Sequence, residues 1–257
     1  MRPERISPRA GRSSRAPARV VGLARELDRR HNSPLATVSA LARRPAAAMQ
    51  TAGYLARLST VSVSLSDGPA GETIRSLLAA RTLSLLPTGR LAQAVLVLDG
   101  DFDATTRGPQ RQALRTNLRR GHAIGLAVHR VPDLDCFLEL ARDVGVRRGD
   151  DTATEDSVGP IDPAIHRGYV VTDPRGVPEG YLLLAVDTHT AWMLRSVGAQ
   201  PGKGAALCHY LLHAAAVRDL VQSRVRCLVA DGGLSVPDGI GYLQRRLGYR
   251  VCNIRIA

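Results

Sequence analysis

The second half of the chain alternates short apolar segments with longer amphipathic ones, and this pattern limits the fold more than any other feature. Residues 180–187 form an apolar run bounded by turn residues, which is typical of a buried strand, whereas residues 205–221 have the length and periodicity of a helix. The predicted order is strand, turn, strand, strand, loop, helix, strand, helix, strand. Strands are predicted at residues 169–172, 180–187, 190–197, 225–230 and 249–256. A turn is predicted at 173–176, a loop at 198–204, and helices at 205–221 and 240–247. We therefore expect an α/β fold with a mixed central sheet flanked by helices.

The first part of the chain is less regular. Residues 1–19 carry arginines among Ser, Pro and Gly, which predicts a basic flexible tail. Residues 20–91 read as a helical, then mixed subdomain, and residues 92–257 as the main domain. The predicted elements before residue 169 are helices at 20–30, 46–58, 72–81, 105–121 and 134–144 and strands at 61–65, 92–98 and 124–129. Phe137 lies on the core face of the last of these helices, and a mobile loop is expected at 149–160.

The chain of 257 residues is strongly basic, with a net charge of +12 and a pI near 10.6. Such a surface attracts polyanions, although a plain solvated basic surface is the alternative. No apolar stretch is long enough to span a membrane. The four cysteines form no C-x-x-C pair, so neither a disulfide framework nor a metal site is expected, and a reducing cytoplasmic location is predicted.

A glycine-containing loop precedes the long helix at residues 205–221. Its residues Gln200, Gly202, Lys203, Gly204 and Ala205 are predicted to form a cradle for a pyrophosphate group. Glycines allow close approach to the backbone, and the helix start offers free N–H groups to a phosphate. Lys203, the single lysine of the chain, adds a positive charge. The pattern G-x-x-x-x-G-K-[ST] is absent, and an ordinary turn that ends at a helix remains the alternative.

The segment 239–251, GIGYLQRRLGYRV, forms a helix and then a strand, with Tyr242 on the helix. Together with Gly202 and Gly204, it resembles the GNAT superfamily of N-acyltransferases, whose donor loop is R/Q-x-x-G-x-G/A; Ala199 stands where that family has Arg or Gln. The resemblance implies a donor at this loop and a tyrosine that protonates the leaving group. Tyr242 could instead pack in the core.

A second segment, R-T-N-L-R-R-G followed by G-L-A-V, resembles the Fem-type aminoacyl-tRNA-dependent transferases, which are GNAT-like. Leu243 and Gln244 stand where those enzymes have Phe-Lys. The resemblance covers residues 92–257 and makes 20–91 a shortened, degenerate GNAT-like half. The predicted phosphate- or tRNA-binding residues are Arg115, Asn117, Arg119, Arg120, Arg245 and Arg246. Arginine forks on one helix face, Arg111 included, suit phosphate recognition, but the helix could equally be a solvated basic face.

Carboxylates in loops and at strand ends supply the candidates for a general base. Asp231 follows a strand, where a loop carboxylate can reach a cleft, and is predicted to be catalytic together with Tyr242. Asp238 and Glu179 are alternatives, and each could be a turn residue. His209 and His213 have a spacing that can bind metal, but no third ligand is nearby, so structural roles are favoured.

The resemblances imply an N-acyltransferase that forms an amide bond, with aminoacyl-tRNA as donor and a small-molecule or peptide amine as acceptor. Acyl-CoA is the alternative donor, and no tightly bound cofactor is expected. A non-catalytic nucleic-acid-binding module is a third interpretation. The aromatic content of 4% argues against that interpretation, because single-stranded nucleic acid is usually bound by aromatic stacking.

Overall fold

The computed structural model describes residues 16–29, 39, 41–79, 88–98, 100–149, 161–198, 204–230 and 232–257. The helices among these residues are α1 (Ala18–Arg29), α2 (Pro45–Arg57), α3 (Pro69–Leu78), α4 (Phe102–Thr106), α5 (Gln112–Ala123), α6 (Leu134–Arg148), α7 (Ala205–Gln222) and α8 (Asp238–Leu247). The strands are β1 (Thr60–Val63), β2 (Gln93–Val97), β3 (Ala127–Val131), β4 (His166–Thr172), β5 (Pro178–Val186), β6 (Thr190–Gly198), β7 (Cys227–Ala230) and β8 (Arg250–Ile256). The predicted order of elements from residue 169 onward is confirmed.

All of these strands belong to one mixed sheet, in the order β1-β8-β2-β7-β6-β5-β4-β3. The pairs β1–β8 and β6–β7 are parallel, and the other neighbours are antiparallel. β1 pairs with β8 in a register that places Thr60 opposite Asn253. The segment before residue 91 therefore contributes a strand to the same sheet as the rest of the chain.

Helices cover both faces of the sheet. On one face, Leu114 of α5, Leu211 of α7 and Leu247 of α8 belong to the largest apolar cluster. On the other face, α3 packs against Trp192 of β6, and α6 packs through Phe137 against β4 and β5. Trp192 is 1% exposed and is therefore a core residue. The predicted mixed central sheet flanked by helices is confirmed.

The single helix predicted at 105–121 is wrong. The chain forms the short helix α4, a 3₁₀ turn at Pro109–Arg111 and then α5. Gly108 has a φ of 91°, which ends the first helix, and Pro109 lacks the N–H that a continuous helix would need. Arg111 therefore lies outside the helix whose basic face it was expected to share. Its Nη1 instead donates to the Arg246 carbonyl oxygen at 3.4 Å.

The predicted tail overlaps the first helix, because α1 already begins at Ala18. Residues 1–15 of that tail lie outside the described residues. So do residues 150–160 of the predicted mobile loop.

Asp187 joins the segment after β1 to the end of β5. Its carboxylate accepts hydrogen bonds from the Ser66 backbone N–H (2.7 Å) and hydroxyl (2.6 Å) and from the Thr188 hydroxyl (3.2 Å), and the residue is 6% exposed. Burial raises the pKa of Asp187, but the hydrogen bonds from Ser66 and Thr188 outweigh burial, so the pKa is lowered overall. The ionised carboxylate therefore stabilises the fold.

Asp187→Asn is expected to lower the free energy of unfolding by about 2 kcal/mol at neutral pH, the typical range for hydrogen bonds to a charged group. Because the folded pKa is lowered, this contribution is present above the unfolded pKa of about 4 and is lost as the pH falls through the folded value. Urea unfolding at several pH values measures it. Asp67→Asn is the matched control, since the Asp67 side chain is fully exposed in the same segment. Equal losses in the two variants would contradict the anchoring role of Asp187.

Candidate functional site

Of the parallel strands β6 and β7, β6 extends further at its carboxyl end. Their last paired residues are Met193 and Ala230, whereas β6 continues to Gly198. In the part of the chain that the structure describes, β6 pairs beyond Met193 with β5 alone. Leu194 and Ser196 in this extension are half-buried. The sheet therefore has an open strand edge next to the start of α7.

The start of α7 faces this open end. Gly204 is the N-cap residue, and its carbonyl oxygen accepts the N–H groups of Leu207 (2.9 Å) and Cys208 (3.1 Å). The first turn contains no acidic residue, so no side chain of that turn neutralises the positive end of the helix dipole. Among the described residues, no atom lies within 4 Å of a Cβ added at Gly204. With respect to these residues, the helix start has room for an anionic or polarised group.

The predicted donor-binding residues are only partly described. Gly204 and the backbone of Ala205 lie at the start of α7 as expected. Gln200, Gly202 and Lys203 lie outside the described residues, and so does the predicted catalytic Asp231.

Polar side chains from three helices meet near this end, and we call them the three-helix cluster: Asn117 of α5, Tyr210 of α7, and Tyr242 and Arg246 of α8. Asn117 hydrogen-bonds to Tyr210, which also lies close to Tyr242 and Arg246. Arg246 donates from Nε to the Tyr242 hydroxyl at 3.0 Å, and its guanidinium lies 5.0 Å from the centre of that ring. Burial raises the pKa of Tyr210, opposed by the hydrogen bond to Asn117.

Tyr242 is 50% exposed, so it is not the core residue that the alternative interpretation required. The structure therefore brings together three of the predicted site residues, Asn117, Tyr242 and Arg246. Tyr210 was missed by sequence reasoning. It lies within an apolar helix, where nothing local distinguishes it from a core tyrosine.

The predicted phosphate-binding arginines have different environments. Arg115 donates from Nη1 to the carbonyl oxygens of Thr106 (2.7 Å) and Gly108 (2.9 Å), so it stabilises the break between α4 and α5. Arg119, Arg120 and Arg245 are exposed. The chain after α5 contacts the β4–β5 turn, because Gly125 lies against Pro174. α5 thus ends at the same end of the sheet at which α7 begins.

The other carboxylates that were considered as bases are engaged in ion pairs. Asp238 accepts from Arg25 at 2.7 Å, and Glu179 accepts from Arg147 at 3.1 Å. Both therefore have structural partners.

The two histidines of α7 lie in different surroundings. His213 is 4% exposed and packs against Tyr249, whose hydroxyl lies 3.5 Å from Nδ1. Burial and, to a smaller extent, the charge of Arg111 lower the pKa of His213 to about 3, so this histidine is neutral and structural. His209 instead contacts Ser196 on the β6 extension.

Among the described residues, no group of three His, Cys, Asp or Glu side chains is arranged to hold a metal ion. Cys208, Cys227 and Cys252 are buried, and burial raises the pKa of the Cys208 and Cys227 thiols to about 11. These two thiols are therefore poor nucleophiles at neutral pH. None of the helices that the structure describes has both the length and the apolar character needed to cross a membrane.

No protein-family model matches this chain, and no curated protein matches it. Several solved structures are similar to part of it. L-PGS of Bacillus licheniformis has 15% identity and a TM-score of 0.47 over 62% of this chain and 57% of that one. FemX has 12% identity and a TM-score of 0.44, over 63% and 59%. A GCN5-related N-acetyltransferase from Kribbella flavida has 16% identity and a TM-score of 0.41, over 63% and 54%.

The chain thus spans less than two thirds of the length of each of these structures. Similarity at this level of identity and overlap is no guide to donor or acceptor.

Proposed function

We propose that this protein is an N-acyltransferase that moves an aminoacyl group from tRNA to an amine. The observation that carries the proposal is the open edge of β6 next to the start of α7. This arrangement offers backbone N–H groups from a strand edge and from a helix terminus around one space. Such fixed donors suit the oxygen of an acyl carbonyl as negative charge develops on it.

In the proposed reaction, the protein forms no covalent bond with either substrate. The amine attacks the acyl carbonyl while the site orients both partners, accepts a proton from the amine and stabilises the oxyanion. The three-helix cluster lies on the helices that border the open end of the sheet. We propose that the hydroxyl of Tyr242, a half-exposed residue that accepts a hydrogen bond from Arg246, donates a proton to the leaving group.

The donor is proposed to be tRNA because of the charge of the chain. The net charge of +12 attracts a polyanion, and Arg119 and Arg120 are exposed on α5, which ends near the start of α7. Arg245 is exposed next to the three-helix cluster. Binding of a large polyanion by such arginines is dominated by phosphate contacts and falls with salt.

Acyl-CoA is the second candidate donor. One observation favours it: a tyrosine hydroxyl near the site matches the need of a thiolate leaving group for a proton. The acceptor is proposed to be a small-molecule or peptide amine, and no tightly bound cofactor is required by this chemistry.

Salt titration of tRNA binding tests the donor. The variant in which Arg119 and Arg120 are both replaced by alanine is expected to bind tRNA more weakly. The slope of its log affinity against log salt should be shallower by about 1 for each lost phosphate contact. Acyl-CoA binding is measured on the same preparations.

The matched control is the variant in which Arg224 and Arg226 are both replaced by alanine. Both are exposed before β7, at the other end of α7, and their loss removes the same charge. The proposed donor is contradicted if the two double variants have equal slopes, or if the wild-type protein binds acyl-CoA and not tRNA.

A further inference from the structure

Ser196 and His209 form a hydrogen-bonded pair at the open end of the sheet. Ser196 Oγ lies 3.0 Å from His209 Nδ1. Ser196 is on the β6 extension, opposite Leu182 of β5 and beyond the last residue that pairs with β7. His209 is the fifth residue of α7. Both residues are half-buried, and they lie at the open end of the sheet, where the donor is proposed to bind.

The imidazole of His209 is in the form that a base needs. Burial lowers the pKa of His209, and the charge of Arg148 at the end of α6 lowers it further, so the ring is neutral at neutral pH. When Nδ1 donates its proton to the Ser196 hydroxyl, the lone pair is on Nε2. Among the described residues, Ser196 is the hydrogen-bond partner of this ring, and that contact is at Nδ1.

The surroundings distinguish this pair from a purely structural contact. His213, four residues later on the same helix, is fully enclosed against Tyr249, whereas His209 is accessible. The carboxylate of Glu179 on β5 helps to raise the pKa of the Cys208 thiol and forms an ion pair with Arg147. Among the residues that the structure describes, the pair is therefore a hydroxyl and an imidazole with no carboxylate bound to the ring.

We propose that His209 is the general base that accepts the proton of the acceptor amine at Nε2, and that Ser196 is the positioning residue that fixes the imidazole. This inference rests on the proposed N-acyltransferase function. The nitrogen–carbon bond forms as the carbon–oxygen bond to the tRNA ribose, or the carbon–sulfur bond to CoA, breaks. The amine proton passes to Nε2 and then, directly or through Tyr242, to the leaving oxygen or sulfur.

Steady-state kinetics of His209→Gln and His209→Ala test the base. Both variants are expected to lower kcat by about 10²-fold, the low end for loss of a general base, while the donor dissociation constant stays unchanged. Added imidazole should restore part of the activity of His209→Ala. Ser196→Ala should lower kcat by a smaller factor, and Ser196→Thr, which keeps the hydroxyl, should recover it.

His129→Gln is the control, because His129 is exposed on the edge strand β3. Circular dichroism of every variant verifies folding, and the serine variants test the pair independently of the histidine variants. Wild-type kcat in both His209 variants would overturn the base and leave the proposed function intact. Absence of amide formation by the wild-type protein from either donor would overturn the proposed function, and this inference with it.

Discussion

Replacement of Tyr242 by phenylalanine is expected to lower kcat by about 10²-fold with an acyl-CoA donor and to change it little with aminoacyl-tRNA. The thiolate that leaves CoA has no neighbouring hydroxyl to supply a proton, so it would take one from Tyr242, which is half-exposed in the three-helix cluster. The ribose of an aminoacyl-tRNA carries a neighbouring hydroxyl that can move the proton itself. The variant therefore separates the two donors by chemistry rather than by affinity.

The measurement is kcat with each donor, together with the melting temperature of the same preparation. The phenyl ring retains its stacking on Arg246, and the lost hydrogen bond is at the surface, so the fold should be retained. Tyr54→Phe is the control, because Tyr54 is half-buried on α2 in the N-terminal apolar cluster. Equal losses of kcat with both donors, or a loss matched by Tyr54→Phe, would exclude this role.

Phe137→Ala is expected to have the largest effect on stability, about 3–5 kcal/mol of unfolding free energy. Phe137 is fully buried between α6 and β4, and its ring meets Tyr181 edge-on with centroids 5.8 Å apart. The ring lies directly over Gly168, where any Cβ would overlap it. Alanine would leave a cavity that the surrounding strands cannot close.

Urea unfolding measures this loss. Phe102→Ala is the matched control, since Phe102 is the only other phenylalanine of the chain and is half-buried beneath the guanidinium of Arg218, 4.6 Å from its ring centre. Its loss is expected to be clearly smaller. An equal loss in the two variants would contradict the tight packing of α6 on β4.

Periodicity predicted the elements well because hydrophobic spacing is a local property. The apolar run of β5 and the amphipathic face that carries Phe137 were both visible in the sequence. The contact between Phe137 and Gly168 was not, because it joins residues that are far apart in the chain. The parallel pairing of β1 with β8 is equally non-local, since Thr60 and Asn253 are opposite each other.

Candidate site residues that belong to a sequence motif could be predicted. Those that come together only through the fold could not. Tyr242 and Asn117 were found from sequence patterns. Ser196 and His209 were not combined, because their contact depends on which end of β6 the first turn of α7 faces. Arg115 was expected to bind phosphate; its donation from Nη1 to backbone carbonyls at the break at Gly108 was not visible in the sequence.

Mass spectrometry of the reaction products tests the central claim most directly. The protein is incubated with a mixture of amines and with either a charged tRNA pool or acyl-CoA. The Gly204→Val variant is measured beside it, because no atom of the described residues lies within 4 Å of the added Cβ. We predict an amine whose mass has increased by one aminoacyl group, formed with charged tRNA and strongly reduced in the variant. No amide product from charged tRNA, or undiminished product in Gly204→Val, would contradict an aminoacyl-tRNA donor bound at the start of α7.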